Sequence, residues 1–284
     1  LGTGANTWTL VSNVAASGGS VTGFTFGNAD GYGVLIAGTT VRADTYTIVL
    51  RATDDVGASE TIQVTFRVNS AITITGGSNI TTTFGRADSS SAYTTTGGTS
   101  PFTWSIVEAA TSGLTVDSVT GVITASKTLP VGTYNRTLRV TDTAGATATK
   151  AFRVIVNAGV TVTSGSNIAT TYGFASQSSA FGKSGGTGIV TLSLTPLNTG
   201  VSYTLSADSS TIVVTIDSSL AVGTYYETVV ATDSLGETGT KLVVITVNET
   251  LTIVSGTDIE TTKGISRSST AFSTLNGSDT KSYS

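Results

Sequence analysis

Three aspartates at equivalent places are the side chains of this sequence best suited to chemistry. Each is followed three positions later by a glycine, giving the pairs Asp54 and Gly57, Asp142 and Gly145, and Asp233 and Gly236. A carboxylate in such a loop can bind a metal ion or act as a general acid. The same pattern is also typical of a tight turn, where the carboxylate accepts a backbone N–H and the glycine adopts a positive φ. The turn interpretation uses both residues, so we expect three hairpin turns.

The composition excludes several classes of chemistry. The chain has no Cys and no His, which excludes Cys/His zinc sites, cysteine nucleophiles, disulfides and Ser-His-Asp triads. Charged residues make up 11% of the chain and the formal net charge is −4, with no basic cluster for nucleic acid. Acidic residues are too sparse to suggest the paired carboxylates of a glycosidase. We therefore expect no catalytic residue, no bound cofactor and no metal site.

The three aspartates belong to a tandem repeat. The step from Asp54 to Asp142 is 88 residues, and the step from Asp142 to Asp233 is 91. A second motif, Ile-Thr-Ile-Thr-Gly-Gly-Ser-Asn-Ile in its first copy, begins at Ile72, Val160 and Leu251 and repeats with the same two steps. A repeat of about 90 residues has the size of one small β-sandwich.

Within each repeat the apolar residues recur with a period of two. Tyr46, Ile48 and Leu50 alternate with polar residues ahead of the first predicted turn. This alternation, together with the abundance of threonine, predicts half-buried antiparallel strands. Trp8 and Trp104 lie at corresponding strand positions, where we expect them to fill the core.

The repeats divide the chain into four segments. Residues 72–159 and 160–250 each hold a complete Ig-like domain, the sandwiches themselves covering about 72–157 and 160–248. Residues 1–71 hold only the later strands of such a domain, and residues 251–284 only the early ones. The junctions following Asn69, Asn157 and Asn248 are only a few residues long. Since a flexible linker would be longer and rich in glycine and serine, we expect a stiff rod.

The segment GLTVDSVTGVITASKTLPVGTYNRTLRVTDTAGATATKAFRVIV, residues 113–156, resembles the bacterial putative-Ig and cadherin-like repeats of large prokaryotic cell-surface proteins. The resemblance implies an all-β fold of tandem antiparallel sandwiches. It also implies an extracellular or cell-surface location and a role in adhesins, stalks or fibres. Cadherins bind calcium through acidic junction motifs, but the junctions here carry no Asp-rich cluster. We therefore expect no structural calcium.

The two terminal segments begin and end at nearly the same phase of the repeat, next to a glycine turn. This predicts that the early strands of one copy complete the first domain of the next, giving a head-to-tail homopolymer. The candidate assembly residues Leu251, Ile253, Ile259 and Phe272 occupy the positions of Ile72, Ile74, Ile80 and Tyr93.

Two alternatives remain open from the sequence. The chain could be part of a longer array of the same repeats, with the neighbouring domains supplying the remaining strands. It could also be an adhesin that binds a glycan or another surface ligand through its loops. No apolar stretch approaches the roughly 18–20 residues of a membrane-spanning helix, so no membrane span is predicted in this segment.

Overall fold

The computed structural model describes residues 6–18, 22–29 and 32–277 as an all-β protein. No helix occurs in these ranges. The strands form a tandem series of Ig-like sandwiches, as predicted from the period of two and the repeat length. We name the units module 1, module 2 and module 3, followed by the C-terminal segment, residues 251–277.

The described part of module 1 contains five strands. They are β1 Thr7–Ala15, β2 Phe24–Ala29, β3 Tyr32–Ala37, β4 Asp44–Thr53 and β5 Ser59–Val68. One sheet has the order β1-β4-β5, and β2 pairs with β3 as a separate hairpin. The inward residues Tyr46, Ile48 and Leu50 of β4 form the centre of its core, as their alternation predicts.

Module 2 has two facing layers and a full core. Its strands are β6 Thr73–Gly76, β7 Ile80–Thr83, β8 Asp88–Ser89, β9 Tyr93–Thr96, β10 Phe102–Ile106, β11 Leu114–Val116, β12 Ile123–Ala125, β13 Gly132–Asp142 and β14 Thr147–Asn157. One sheet has the order β10-β13-β14-β7, and β7 runs parallel to β14. The opposite layer contains β11-β12-β8 and the β6-β9 pair. Trp104 is buried in this core, as predicted.

Module 3 repeats this architecture. Its strands are β15 Thr161–Ser164, β16 Ile168–Thr171, β17 Ser176–Gln177, β18 Phe181–Ser184, β19 Thr191–Thr195, β20 Val201–Leu205, β21 Thr211–Ile216, β22 Gly223–Thr232 and β23 Thr238–Asn248. One sheet has the order β16-β23-β22-β19, with β16 parallel to β23. The other has the order β15-β18-β21-β17, with β20 also pairing with β21.

The C-terminal segment contains one short antiparallel pair, β24 Thr252–Ile253 and β25 Thr274–Leu275. The first five residues of the chain and residues 278–284, which the sequence analysis assigned to the two terminal domains, lie outside the described residues.

A tyrosine at the start of each penultimate strand bonds back to the chain. The hydroxyls of Tyr134 and Tyr225 donate to the backbone oxygens of Pro130 and Ala221, at 2.8 and 2.9 Å. Tyr46 makes the same contact to Arg42 at 2.6 Å. These are tyrosine corners, and each fixes the entry of one strand into its sheet.

Candidate functional site

The structure places the three recurring aspartates in the hairpin turns between the last two strands of each module. Asp54 shows the arrangement: its Oδ1 accepts the N–H groups of Val56 and Ala58 at 3.1 and 2.8 Å. Gly57 lies at φ 89°, and Gly145 and Gly236 both lie at φ 85°. A side chain at such a φ is strained, which accounts for the glycine.

Asp142 and Asp233 use their second carboxylate oxygen as well. Oδ2 of Asp142 accepts the backbone N–H of Thr99, and Oδ2 of Asp233 accepts that of Thr187, both at 2.9 Å. The Thr99 amide and the turn amides hold the pKa of Asp142 below its ordinary value. Burial raises the pKa of Asp233, but hydrogen bonds from Thr83 and from backbone amides outweigh burial, and the net direction is downward.

The hydrogen bonds favour the ionised form of Asp142 and Asp233, which suits a structural anchor. A general acid needs a proton to give near neutral pH, and a lowered pKa removes it. Across residues 6–18, 22–29 and 32–277, no three His, Cys, Asp or Glu side chains are grouped to hold a metal ion.

The free edge of β5 distinguishes module 1 from its neighbours. In modules 2 and 3 the last strand pairs in parallel with the strand that follows the repeat's first glycine turn. In the described part of module 1, β5 pairs with β4 alone. Its inward residues Val64, Phe66 and Val68 are half-buried, whereas their counterparts in β14 and β23 are buried.

The C-terminal segment shows the reverse situation. Leu251, Ile253, Ile259 and Phe272 are each at least half exposed. Their counterparts in module 3, Val160, Val162, Ile168 and Phe181, are all buried or packed against the core. The structure places Ile253 in β24, and Ile259 and Phe272 outside the strands, so these four residues do not form a core of their own.

A glycine–aromatic contact recurs in this part of every repeat, and the sequence analysis missed it. The ring of Tyr93 covers Gly77, and the ring of Phe181 covers Gly165, so closely that an added Cβ would lie about 2 Å from a ring carbon. Phe272 covers Gly256 in the same way. The signal available in the sequence was the glycine retained in all three copies of the second motif.

The junction between modules 2 and 3 is a second feature that the sequence did not reveal. The Thr83 hydroxyl at the end of β7 donates to Oδ2 of Asp233 at 2.5 Å, although 150 residues separate the two. Asn157 Nδ2 donates to Thr187 Oγ1 at 3.0 Å across the same boundary. The turn aspartate thus anchors one module to the next.

No protein-family model matches this chain, and a comparison with curated proteins finds no match either. Among solved structures, it is similar to the eight N-terminal Ig domains of Down Syndrome Cell Adhesion Molecule, with 14% identity and a TM-score of 0.47 over 90% of this chain and 34% of that one. Sidekick-1 immunoglobulin domains 1–5 give 14% identity and a TM-score of 0.38 over 88% of this chain and 55% of that one.

Mouse Cadherin-23 EC22–24 gives 17% identity and a TM-score of 0.30, with 87% of both chains covered. The chain spans about a third of the first of these structures and about half of the second. In the described residues, no helix is long and apolar enough to cross a membrane.

Proposed function

We propose that this protein is a non-catalytic structural subunit of an extracellular or cell-surface filament or stalk. In this proposal, the C-terminal segment of one copy completes module 1 of the next copy. The proposal rests on one observation: module 1 and the C-terminal segment expose surfaces that complement each other. In the described part of module 1, the edge of β5 opposite β4 is free and the inner face is half open. The C-terminal segment exposes apolar residues whose counterparts cover this face in modules 2 and 3.

The complete modules supply the register of the proposed contact. Ile80 lies opposite Val154 in the parallel β7–β14 pair, and Ile168 lies opposite Ile245 in the β16–β23 pair. The equivalent residues are Ile259 in the C-terminal segment and Phe66 in β5. The proposed contact therefore adds a parallel strand to β5, with Ile259 of one copy opposite Phe66 of the next.

The second layer is completed in the same way. In module 2, Ser89 of β8 pairs with Thr124 of β12. The equivalent residues are Ser268 and Ile36, so the C-terminal segment also extends the β2–β3 hairpin. Phe272 would then enter the core beside Leu35, as Tyr93 enters the core that contains Ile123.

Burial of these side chains supplies the energy of assembly. Each large apolar side chain transferred from water to a core contributes roughly 1.5–3 kcal/mol before ordering costs. The donor segment and the acceptor module are different surfaces of the chain, so the contact is heterologous, and a heterologous contact that does not close into a ring repeats along an open filament. A filament is the expected product.

The extracellular location rests on the resemblance of residues 113–156 to cell-surface repeats and on a Cys-free, Thr-rich composition. The lowered pKa values of Asp142 and Asp233, and a sequence without Cys or His, support a structural role over catalysis.

Deletion of the C-terminal segment tests the proposal. The full chain and a chain ending at residue 250 are purified and compared by sedimentation velocity and negative-stain electron microscopy. The full chain is expected to form filaments, and the truncated chain to remain a folded monomer by circular dichroism. Adding a 251–284 peptide in excess should cap the full chain and shorten its filaments.

Filaments of unchanged repeat from the truncated chain would refute completion by the C-terminal segment. A full chain that stays monomeric at all concentrations would also refute self-assembly, and would favour a longer array or an adhesin.

A further inference from the structure

The contact between modules 2 and 3 is built around one buried threonine. Thr83 is 0% exposed and its Oγ1 lies 2.5 Å from Oδ2 of Asp233, which is 5% exposed. The same hydroxyl lies 2.7 Å from Oγ1 of Thr187. The acceptor of the Thr83–Asp233 hydrogen bond is an ionised carboxylate removed from water, so this bond is stronger than one between two neutral groups.

An arginine contact flanks this threonine. Arg86 Nη1 donates to the backbone oxygen of Leu235 at 2.8 Å and lies 3.9 Å from Oε1 of Glu237. Since β7 and the turn that follows it supply both Thr83 and Arg86, one short segment makes both contacts to module 3.

At the junction between modules 1 and 2 the equivalent acceptor is Asp142, and no threonine hydroxyl from the described part of module 1 donates to it. Asn69 Nδ2 donates to Thr99 Oγ1 at 2.9 Å, as Asn157 does to Thr187. The Thr99 amide binds Asp142 as the Thr187 amide binds Asp233. Thr99, however, is exposed, whereas Thr187 is half-buried under Thr83.

The C-terminal segment carries residues that match this junction. Thr262 occupies the position of Thr83 in the third copy of the second motif, and Ile265 occupies the position of Arg86. In module 2, the positions of Leu235 and Glu237 are held by Ala144 and Ala146. Within the chain, arginine therefore faces glutamate, and between chains isoleucine would face alanine. The first pair is matched in charge and the second is matched as apolar, although the two pairs share no residue type.

We infer that Thr262 and Ile265 of one copy form the specificity contact with the module 1–module 2 junction of the next copy. The Thr262 hydroxyl donates to Oδ2 of Asp142, and Ile265 packs on Ala144 and Ala146. This inference rests on the proposed completion of module 1. It adds the two residues that fix the register of the incoming strand. A shift of the strand by one residue would turn Thr262 away from Asp142 and leave that carboxylate with one donor fewer.

Substitutions at Thr262 in the full chain test the hydrogen bond. The T262V variant keeps the shape and loses the hydroxyl, whereas T262S keeps the hydroxyl. The critical concentration for assembly, measured by pelleting, is expected to rise about 10-fold for T262V, as for loss of a hydrogen bond to a charged acceptor. For T262S it should stay within about 2-fold of the unmodified chain.

Transferring the charged pair of the module 2–module 3 junction to positions 146 and 265 tests the contact between Ile265 and Ala146. A146E places the glutamate of module 3 opposite Ile265 and is expected to raise the critical concentration. Adding I265R to the same chain recreates the Arg86–Glu237 pair and should restore assembly. Both residues already occupy these positions in another repeat, so the variants are expected to fold, which thermal melting of each variant checks.

The outcomes separate the two proposals. Equal critical concentrations for T262V, T262S and the unmodified chain, with assembly still dependent on residues 251–284, would overturn the specificity contact and leave completion of module 1 standing. An A146E/I265R chain no better than A146E alone would likewise exclude the Ile265 contact. Failure of the unmodified chain to assemble would overturn both proposals.

Discussion

Replacing Phe272 with alanine should weaken filament assembly without affecting the fold of the subunit. Phe272 is 59% exposed, whereas its counterparts Tyr93 and Phe181 are 4% and 1% exposed in complete modules. Assembly would therefore remove from water more than half of the total surface of this residue. Because the ring contributes nothing to the cores of modules 1 to 3, the folded subunit should lose little by the change.

The expected loss of affinity follows from the apolar area that Phe272 would bury. A phenylalanine buries roughly 150–250 Å², so assembly adds about 100 Å² of apolar burial at this residue. At about 25 cal/mol per Å², and allowing for the Cβ that alanine retains, the loss is about 2 kcal/mol. This corresponds to an affinity about 30-fold weaker, since a factor of ten is about 1.4 kcal/mol.

The assay is the critical concentration for filament formation, read by pelleting and electron microscopy. The matched control is Val119→Ala, which shortens a 78% exposed apolar side chain in the loop between β11 and β12 of module 2. The control should assemble like the unmodified chain. A Phe272→Ala chain with an unchanged critical concentration would show that this ring enters no core on assembly, and would contradict the proposed completion of module 1.

Three further predictions concern the subunit. The pKa of Asp233 is lower in the folded chain than in the unfolded chain, so its ionised form stabilises the fold fully above the ordinary aspartate pKa, and this stabilisation is lost as the pH falls through the folded pKa. The melting temperature should therefore be flat from pH 7 to 5 and fall below about pH 4, and Asp233→Asn should make that fall shallower. Ile123→Ala should lower the free energy of unfolding, measured in urea, by about 2–5 kcal/mol. Leu35→Ala changes the equivalent residue of module 1, which is half-buried, and should lower it clearly less in the monomer; equal losses would contradict the open face of module 1. Tyr134→Phe removes the bond to the Pro130 carbonyl and should cost about 0.5–1.5 kcal/mol by the same measurement, with the sheet signal in circular dichroism unchanged.

Features encoded within one repeat could be predicted from the sequence. The alternation of Tyr46, Ile48 and Leu50 is enough to place them in a core, because a strand presents every second residue to the same face. The turn at Asp54 and the corner at Tyr134 are likewise local, since each bonds to backbone within four residues.

Features that depend on the packing of distant parts could not be predicted. Thr83 is one of many threonines, and only the folded junction brings its hydroxyl to Asp233. Glu227 is another example: it occupies the inward position held by Ile48 in module 1 and is fully buried. Its Oε1 accepts the backbone and side-chain N–H groups of Asn198 at 3.1 and 2.7 Å. The alternation places Glu227 inward, but the loop that supplies its partner is specified by tertiary structure.

One backbone hydrogen bond recurs at all three junctions and anchors the C-terminal segment to module 3. The amides of Gly98, Gly186 and Gly277 donate to the backbone oxygens of Ser70, Ala158 and Glu249, at 2.8, 2.8 and 2.9 Å. The last of these bonds ties the end of the C-terminal segment to module 3 in the way that the complete modules are tied to one another. The bond holds the start and the end of the segment together beside module 3, and in the proposed assembly this anchoring would lower the ordering cost. Since the contact between copies would reuse the junction within a copy, a filament built this way should be as stiff between subunits as within them.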